Sequence, residues 1–134
     1  MKSDSRIALS LLLIRLSVTL VIFMWTIDKF LRPDRAAAIF EKFYFIGGLG
    51  ALPIYILAAV EMVILIGFVA GFKKRWTYGA ILFFHTVSTV SAWKQYFNPF
   101  QDPNLLFFAA WPMLAACFTL YLLRDFDTMF AVDA

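Results

Sequence analysis

Three ionisable residues stand inside long apolar runs: Arg15 in 7–31, Glu61 in 52–72 and His85 in 76–97. A charge at the centre of a bilayer costs about 2.5–3.5 kcal/mol on insertion scales, so such groups are expected to pair or to serve a function. Arg15 offers five donors in a planar fork, and Glu61 has two acceptor oxygens. Arg15–Glu61 is therefore the first pair expected, with His85 completing one intramembrane polar cluster. By residue count Glu61 and His85 lie near mid-depth, and Arg15 lies roughly 6 Å off centre at 1.5 Å per residue. The chemistry open to such a trio is proton relay through His85 and Glu61, contact with a quinone carbonyl, or metal or porphyrin ligation. Ligation is the weakest of these, because His85 has no second histidine in the chain to serve as an axial partner. A plainer reading stands beside each. Arg15–Glu61 can be a clamp that sets helix register, and His85 can be bonded to a neighbouring hydroxyl or to Glu61.

Residues at helical spacing extend these positions into stripes. Arg15, Thr19, Ile22, Thr26 and Lys29 share one side of the first run; Tyr78, His85, Ser88, Thr89, Ala92 and Tyr96 share one side of the third. Thr19, Tyr78, Ser88, Thr89 and Trp111 are thus the candidates to line a ligand. Lys94 falls on another face, where it can snorkel to the interface. Asp28 and Lys29 are expected to form a snorkelling pair at the membrane edge. Trp25, Tyr55, Trp76, Trp93 and Tyr96 fall near run ends, as interfacial anchors do. Gly67 and Gly71 are four apart, a spacing that lets another helix approach closely. Cys117 is expected to be buried in an apolar helix rather than reactive. One thiol makes no internal disulfide, CxxC pair or zinc cage.

The elements that must carry these residues follow from hydropathy. The chain has 134 residues, 63% of them hydrophobic and 16% charged, and its mean hydropathy is +0.80. That exceeds the roughly 45–50% apolar content of soluble domains and excludes an ordinary water-soluble globule. Each span needs about 20 apolar residues, and the spacing predicts four: 7–31, 52–72, 76–97 and 104–123. The first run is too long for the apolar core of a signal peptide and is expected to be retained. Pro33 follows it as a stop. Residues 34–46 form an amphipathic helix on the membrane surface, with Ile39, Phe40 and Phe43 on one side; Gly47-Gly48-Leu49-Gly50 ends it. Pro53 suits the first turn of the next helix. Lys73-Lys74-Arg75 makes a tight basic turn, Asn98-Pro99 and Asp102-Pro103 mark a loop, and Pro112 is expected to kink the fourth span. The fold expected is all-α: a single domain, an antiparallel four-helix transmembrane bundle with a short interfacial helix between spans one and two.

The net charge of +3 suits basic loops, and no basic-aromatic interleaving points to nucleic acid. Lys2, Arg6, Lys73, Lys74, Arg75 and Arg124 fall on one side, and Lys29, Arg32, Arg35, Lys42 and Lys94 on the other. The density of the 73–75 turn puts that side and both termini in the cytoplasm, in a bacterial-type inner membrane. No metal, flavin, nucleotide or hydrolase motif is present.

Arg15, then Asp28-Lys29-Phe30-Leu31 close to Pro33, then Glu61, Gly67, Gly71 and Arg75, then His85, together resemble the DoxX-like family of small four-helix membrane proteins. The likeness runs from about Arg15 to the fourth span on scattered positions. The glycine that members often carry shortly before the lysine of the first span is replaced by Trp25-Thr26-Ile27-Asp28. The resemblance implies an integral bundle associated with membrane redox systems, including quinone-linked oxidation. Two functions are expected to compete. In the first the chain is a non-catalytic subunit or assembly partner of a larger membrane complex, or a homo-oligomer. In the second it is a quinone-linked redox protein in which Arg15, Glu61 and His85 line a pocket, Tyr78 or Trp111 packs the ring, and a partner supplies electrons. A small-solute or proton transporter is a weaker alternative, since four spans are few for alternating access.

Overall fold

Apolar composition and helical hydroxyl placement produce a chain whose regular structure is helical throughout the described residues. The computed structural model describes residues 3–44, 47, 48, 50–102 and 104–133, with backbone only for 3, 4, 43 and 44. The expected end of the surface helix at 45–46, Leu49 and Pro103 in the loops, and Lys2 lie outside the described residues.

The helices are α1 (Ser3–Leu31), α2 (Pro33–Tyr44), α3 (Ala51–Ala70), α4 (Lys74–Ser91), α5 (Trp93–Tyr96) and α6 (Ala110–Leu122). Short 3-10 segments cover Asn104–Ala109 and Arg124–Phe126. α1 packs on α3 and α6, and α4 packs on α3 and α6. Leu11, Val18, Ile22, Leu65, Phe68, Tyr78, Ile81, Cys117 and Leu120 form the core between them. Outside that core, Leu20, Val63, Phe83 and Phe118 are exposed. Bulky apolar side chains thus cover the exterior where a soluble domain would carry more charge.

Among the described residues, three segments are long and apolar enough to cross a membrane: Ser5–Leu31, Ala51–Ala70 and Asn104–Leu122. The third expected span, 76–97, differs. α4 begins at Lys74, takes in Arg75, and stops at Ser91 before the short α5. It is too polar to qualify because one face carries Lys74, Tyr78, His85 and Thr89, all buried. Its hydroxyls bond back to their own helix, Thr86 to Leu82 O, Thr89 to His85 O and Ser91 to Ser88 O. That is how an internal polar face stays satisfied without water.

Two proline and glycine expectations need correction, and three hold. Pro33 opens α2 directly after α1 ends, and Pro53 lies in the first turn of α3. Pro112 does not kink a helix centre. The segment starts as a 3-10 helix and becomes α at Ala110, so Pro112 falls in the first α turn, where its missing N–H costs little. Gly67 does serve close packing: a Cβ there would lie 2.8 Å from Thr77 Cγ2 of α4. Gly71 instead ends α3. Its φ of 65° permits a Schellman cap, with Gly71 N–H bonded to Phe68 O and Phe72 N–H to Gly67 O.

Candidate functional site

The interior charges resolve into two clusters at different heights, and the expected Arg15–Glu61 pair does not form. Arg15 Nη1 lies 2.7 Å from Asp127 Oδ1, and Glu61 Oε2 lies 3.0 Å from Lys29 Nζ. The reason is register. Thr26 and Lys29 of α1 face Glu61 of α3, while Arg15 meets the C-terminal segment that bonds the end of α3. The two helices therefore run in opposite directions. Arg15 sits eleven residues before Thr26, about 16 Å along the axis. It is level with the C-terminal end of α3 at Gly71, while α1 itself continues twelve residues beyond it toward Ser3.

The first cluster depends on the C-terminal segment. After α6 the Arg124–Phe126 turn brings Asp127 beneath the helix ends, where it is fully buried. Asp127 accepts on both oxygens, from Arg15 Nη1 and from Tyr78 Oη at 2.5 Å. Arg15 Nη2 donates to Met129 O (2.6 Å) and Phe130 O (3.1 Å). Lys74 Nζ donates to Asp127 O at 2.5 Å and Arg124 O at 3.1 Å. The chain then crosses the end of α3: Val132 N–H bonds Ala70 O and Asp133 N–H bonds Gly71 O. These carbonyls would otherwise have no partner at a helix C-terminus. Asp133 closes the strap by accepting from the Lys73 N–H. Lys74, expected in a solvated basic turn, is buried instead. Burial lowers its pKa from the usual 10.5, against the opposing pull of Asp127, with Arg15 pushing the same way as burial.

The second cluster joins α1, α3 and α4 at one level. The Thr26 hydroxyl lies 2.8 Å from Ile22 O and 3.2 Å from the Glu61 oxygen that Lys29 holds. Lys29 thus turns inward, while Asp28 pairs with Arg32 in a separate, exposed contact. One residue along, Trp25 stacks on His85, ring centroids 6.1 Å apart, while the indole stays half-exposed. His85 Nε2 lies 2.9 Å from Ala110 O, so it carries the ring proton. His85 Nδ1 is buried and has no partner among the described residues.

The remaining candidate residues are mostly engaged elsewhere. Thr19 donates to Arg15 O and Thr89 to His85 O. The Ser88 carbonyl accepts from Ser91, and Tyr78 belongs to the Asp127 cluster. Trp111 is partly exposed, packs against Tyr96 and borders an open groove with Leu82 and Phe118. Tyr96 donates to Thr89 O. Lys94 sits over the Trp93 ring at the surface as expected. Cys117 is buried in the core as expected. Among the described residues, no three His, Cys, Asp or Glu side chains converge as metal ligands would.

Sequence reasoning missed Asp127. Its signal was an interior arginine whose partner had to be found, matched by an acidic residue just past the end of the last span. No family model, curated protein or solved structure matches this chain.

Proposed function

We propose that the chain is a four-span integral membrane protein, DoxX-like in its helix arrangement, that works as a non-catalytic subunit or assembly partner of a larger membrane complex of redox type. In this reading α4 from Trp76 onward is the third span in chain order, with Lys73 and Lys74 outside it. Its polar face is turned inward, and Trp76, Phe83, Val87 and Val90 make its outer face apolar. The basic end, with Lys73, Arg75 and Arg124, faces the cytoplasm together with both termini.

One observation carries the reading: the deep charges are consumed within the chain. Arg15 has Asp127, Tyr78 and two carbonyls, and Glu61 has Lys29 and Thr26. Groups occupied in this way hold helices together rather than wait for a substrate. The broad exposed apolar surface then remains for lipid or for neighbouring subunits.

Extraction in mild detergent followed by intact-complex mass spectrometry tests it. The expected result is a stoichiometric membrane partner or a defined oligomer. A chain that stays alone and turns over quinol by itself would refute it.

A second reading rests on His85. Its free Nδ1 and the Trp25 ring lie at the level of Glu61, and a quinone needs apolar walls with one or two polar groups. Quinone binding that is unchanged in His85→Ala and Glu61→Gln would rule this reading out.

A further inference from the structure

The outer seam between α4 and α6 combines an apolar channel with two arginines at one end. Gly79 opens the seam: a Cβ there would lie 3.3 Å from Tyr121 Cε1, so any larger residue crowds the ring. Arg75, Trp76, Phe83 and Tyr121 border the groove at this level. The next groove along the same two helices is bordered by Leu82, Thr86, Trp111 and Phe118. From Arg75 to Thr86 the seam runs eleven residues, about 16 Å of helix. That is about half of a hydrocarbon core roughly 30 Å thick, the depth of one leaflet.

Two arginines stand at the charged end: Arg75 borders the groove, and Arg124 is anchored beside it by an Nη1 bond to Tyr121 O of 2.8 Å. The Arg75 guanidinium sits 5.6 Å from the Trp76 ring centroid, and Arg124 sits 4.6 Å from that of Tyr121. Both cations are thus held against rings that border the groove. Neither forms an ion pair among the described residues. Two nearby tail carboxylates are already engaged, Asp127 inward on Arg15 and Asp133 on the Lys73 N–H; Asp125 is exposed. A basic pocket between helices at the cytoplasmic side is the kind of place where anionic headgroups bind.

We propose that this seam binds one anionic phospholipid, its phosphate between Arg75 and Arg124 and one acyl chain laid along α4 and α6 toward Trp111. The inference rests on the reading of the chain as a membrane protein and is independent of its role in a complex.

The test uses the full chain in mild detergent. Phosphatidylglycerol, phosphatidylcholine with the same chains, and glycerol 3-phosphate are titrated separately, with retained lipid counted by native mass spectrometry and thermal midpoints recorded. Phosphatidylglycerol is expected to bind one per chain and raise the midpoint, phosphatidylcholine to bind more weakly, and glycerol 3-phosphate to do nothing. Arg75→Gln should weaken phosphatidylglycerol about fivefold, and Arg75→Gln with Arg124→Gln about thirtyfold, from the usual contribution of a basic side chain near an anionic headgroup. Both residues lie at the rim, and retained helical circular dichroism confirms folding. Lys94→Gln, exposed on α5 beyond the end of α4, should change nothing. Equal binding of the two lipids, equal effect of free glycerol phosphate, or wild-type affinity in the double variant would overturn the proposal. If the chain stays in membranes through an alkaline carbonate wash, those results leave the membrane reading standing; release by the wash would overturn both.

Discussion

Asp127→Ala is the most informative single change. It removes the counter-charge of Arg15, whose side chain is 1% exposed, and leaves the guanidinium with Tyr78 and two backbone carbonyls. Breaking a buried ion pair by deleting one partner costs about 3–5 kcal/mol. The Tyr78 hydroxyl also loses its acceptor, at about 1 kcal/mol. A loss of about 4–6 kcal/mol is expected, a large part of a typical total of 5–15 kcal/mol. The double variant Arg15→Met with Asp127→Leu removes both charges and should recover most of that loss, because apolar replacement of a whole buried pair is often close to neutral. The assay is reversible unfolding in mixed micelles, followed by tryptophan fluorescence, with Arg15→Met and Asp127→Leu also measured singly to close a double-mutant cycle. Asp28→Ala serves as the internal reference. Its pair with Arg32 is largely exposed and should be worth about 0–1 kcal/mol. If Asp127→Ala costs no more than Asp28→Ala, or if the Arg15 and Asp127 effects simply add, the Arg15–Asp127 pair does not hold the C-terminal strap in place. Trypsin offers a second readout, since loss of Asp127 should free the strap and expose the Arg124–Asp125 bond.

Three further outcomes are expected. Glu61→Gln should destabilise by about 1–2 kcal/mol in the same unfolding assay, between exposed and buried pairs, because Lys29 and Glu61 retain some exposure. Gly71→Ala should cost at least about 1–2 kcal/mol from the left-handed backbone, with a further penalty because its Cβ would fall 2.6 Å from Ala131 Cβ; amide exchange at Val132 and Asp133 should rise with it. Lys74 should titrate below its usual value of 10.5 by nitrogen NMR, since burial disfavours the ammonium. Between that lowered value and 10.5 the unfolded chain holds a proton that the folded chain has released. Stability from this group therefore rises with pH across that window.

Much of the architecture was legible in the sequence because it rests on local, periodic signals. Hydropathy located α1, α3 and the segment ending at Leu122 to within a few residues. The 3.6-residue stripes placed Arg15, Ile22, Thr26, Tyr78, His85 and Thr89 on buried faces. Gly67 was readable as a contact position because closeness between helices requires a missing side chain. Less visible was the limit of α4, whose inward polar face lowers its hydropathy below that of its neighbours.

Pairing was another matter. Periodicity says which way a side chain points around its helix axis, and nothing about which level of a neighbouring helix it meets. Composition and spacing alone determined an all-helical chain with an apolar exterior and ionisable groups turned inward. The tertiary structure decided their partners. The α1–α3 register put Glu61 opposite Lys29 and Thr26, and the folded-back tail carried Asp127 across 112 residues of sequence to Arg15. Such a choice depends on long-range geometry and on the cost of leaving a buried charge alone, and no local pattern encodes either.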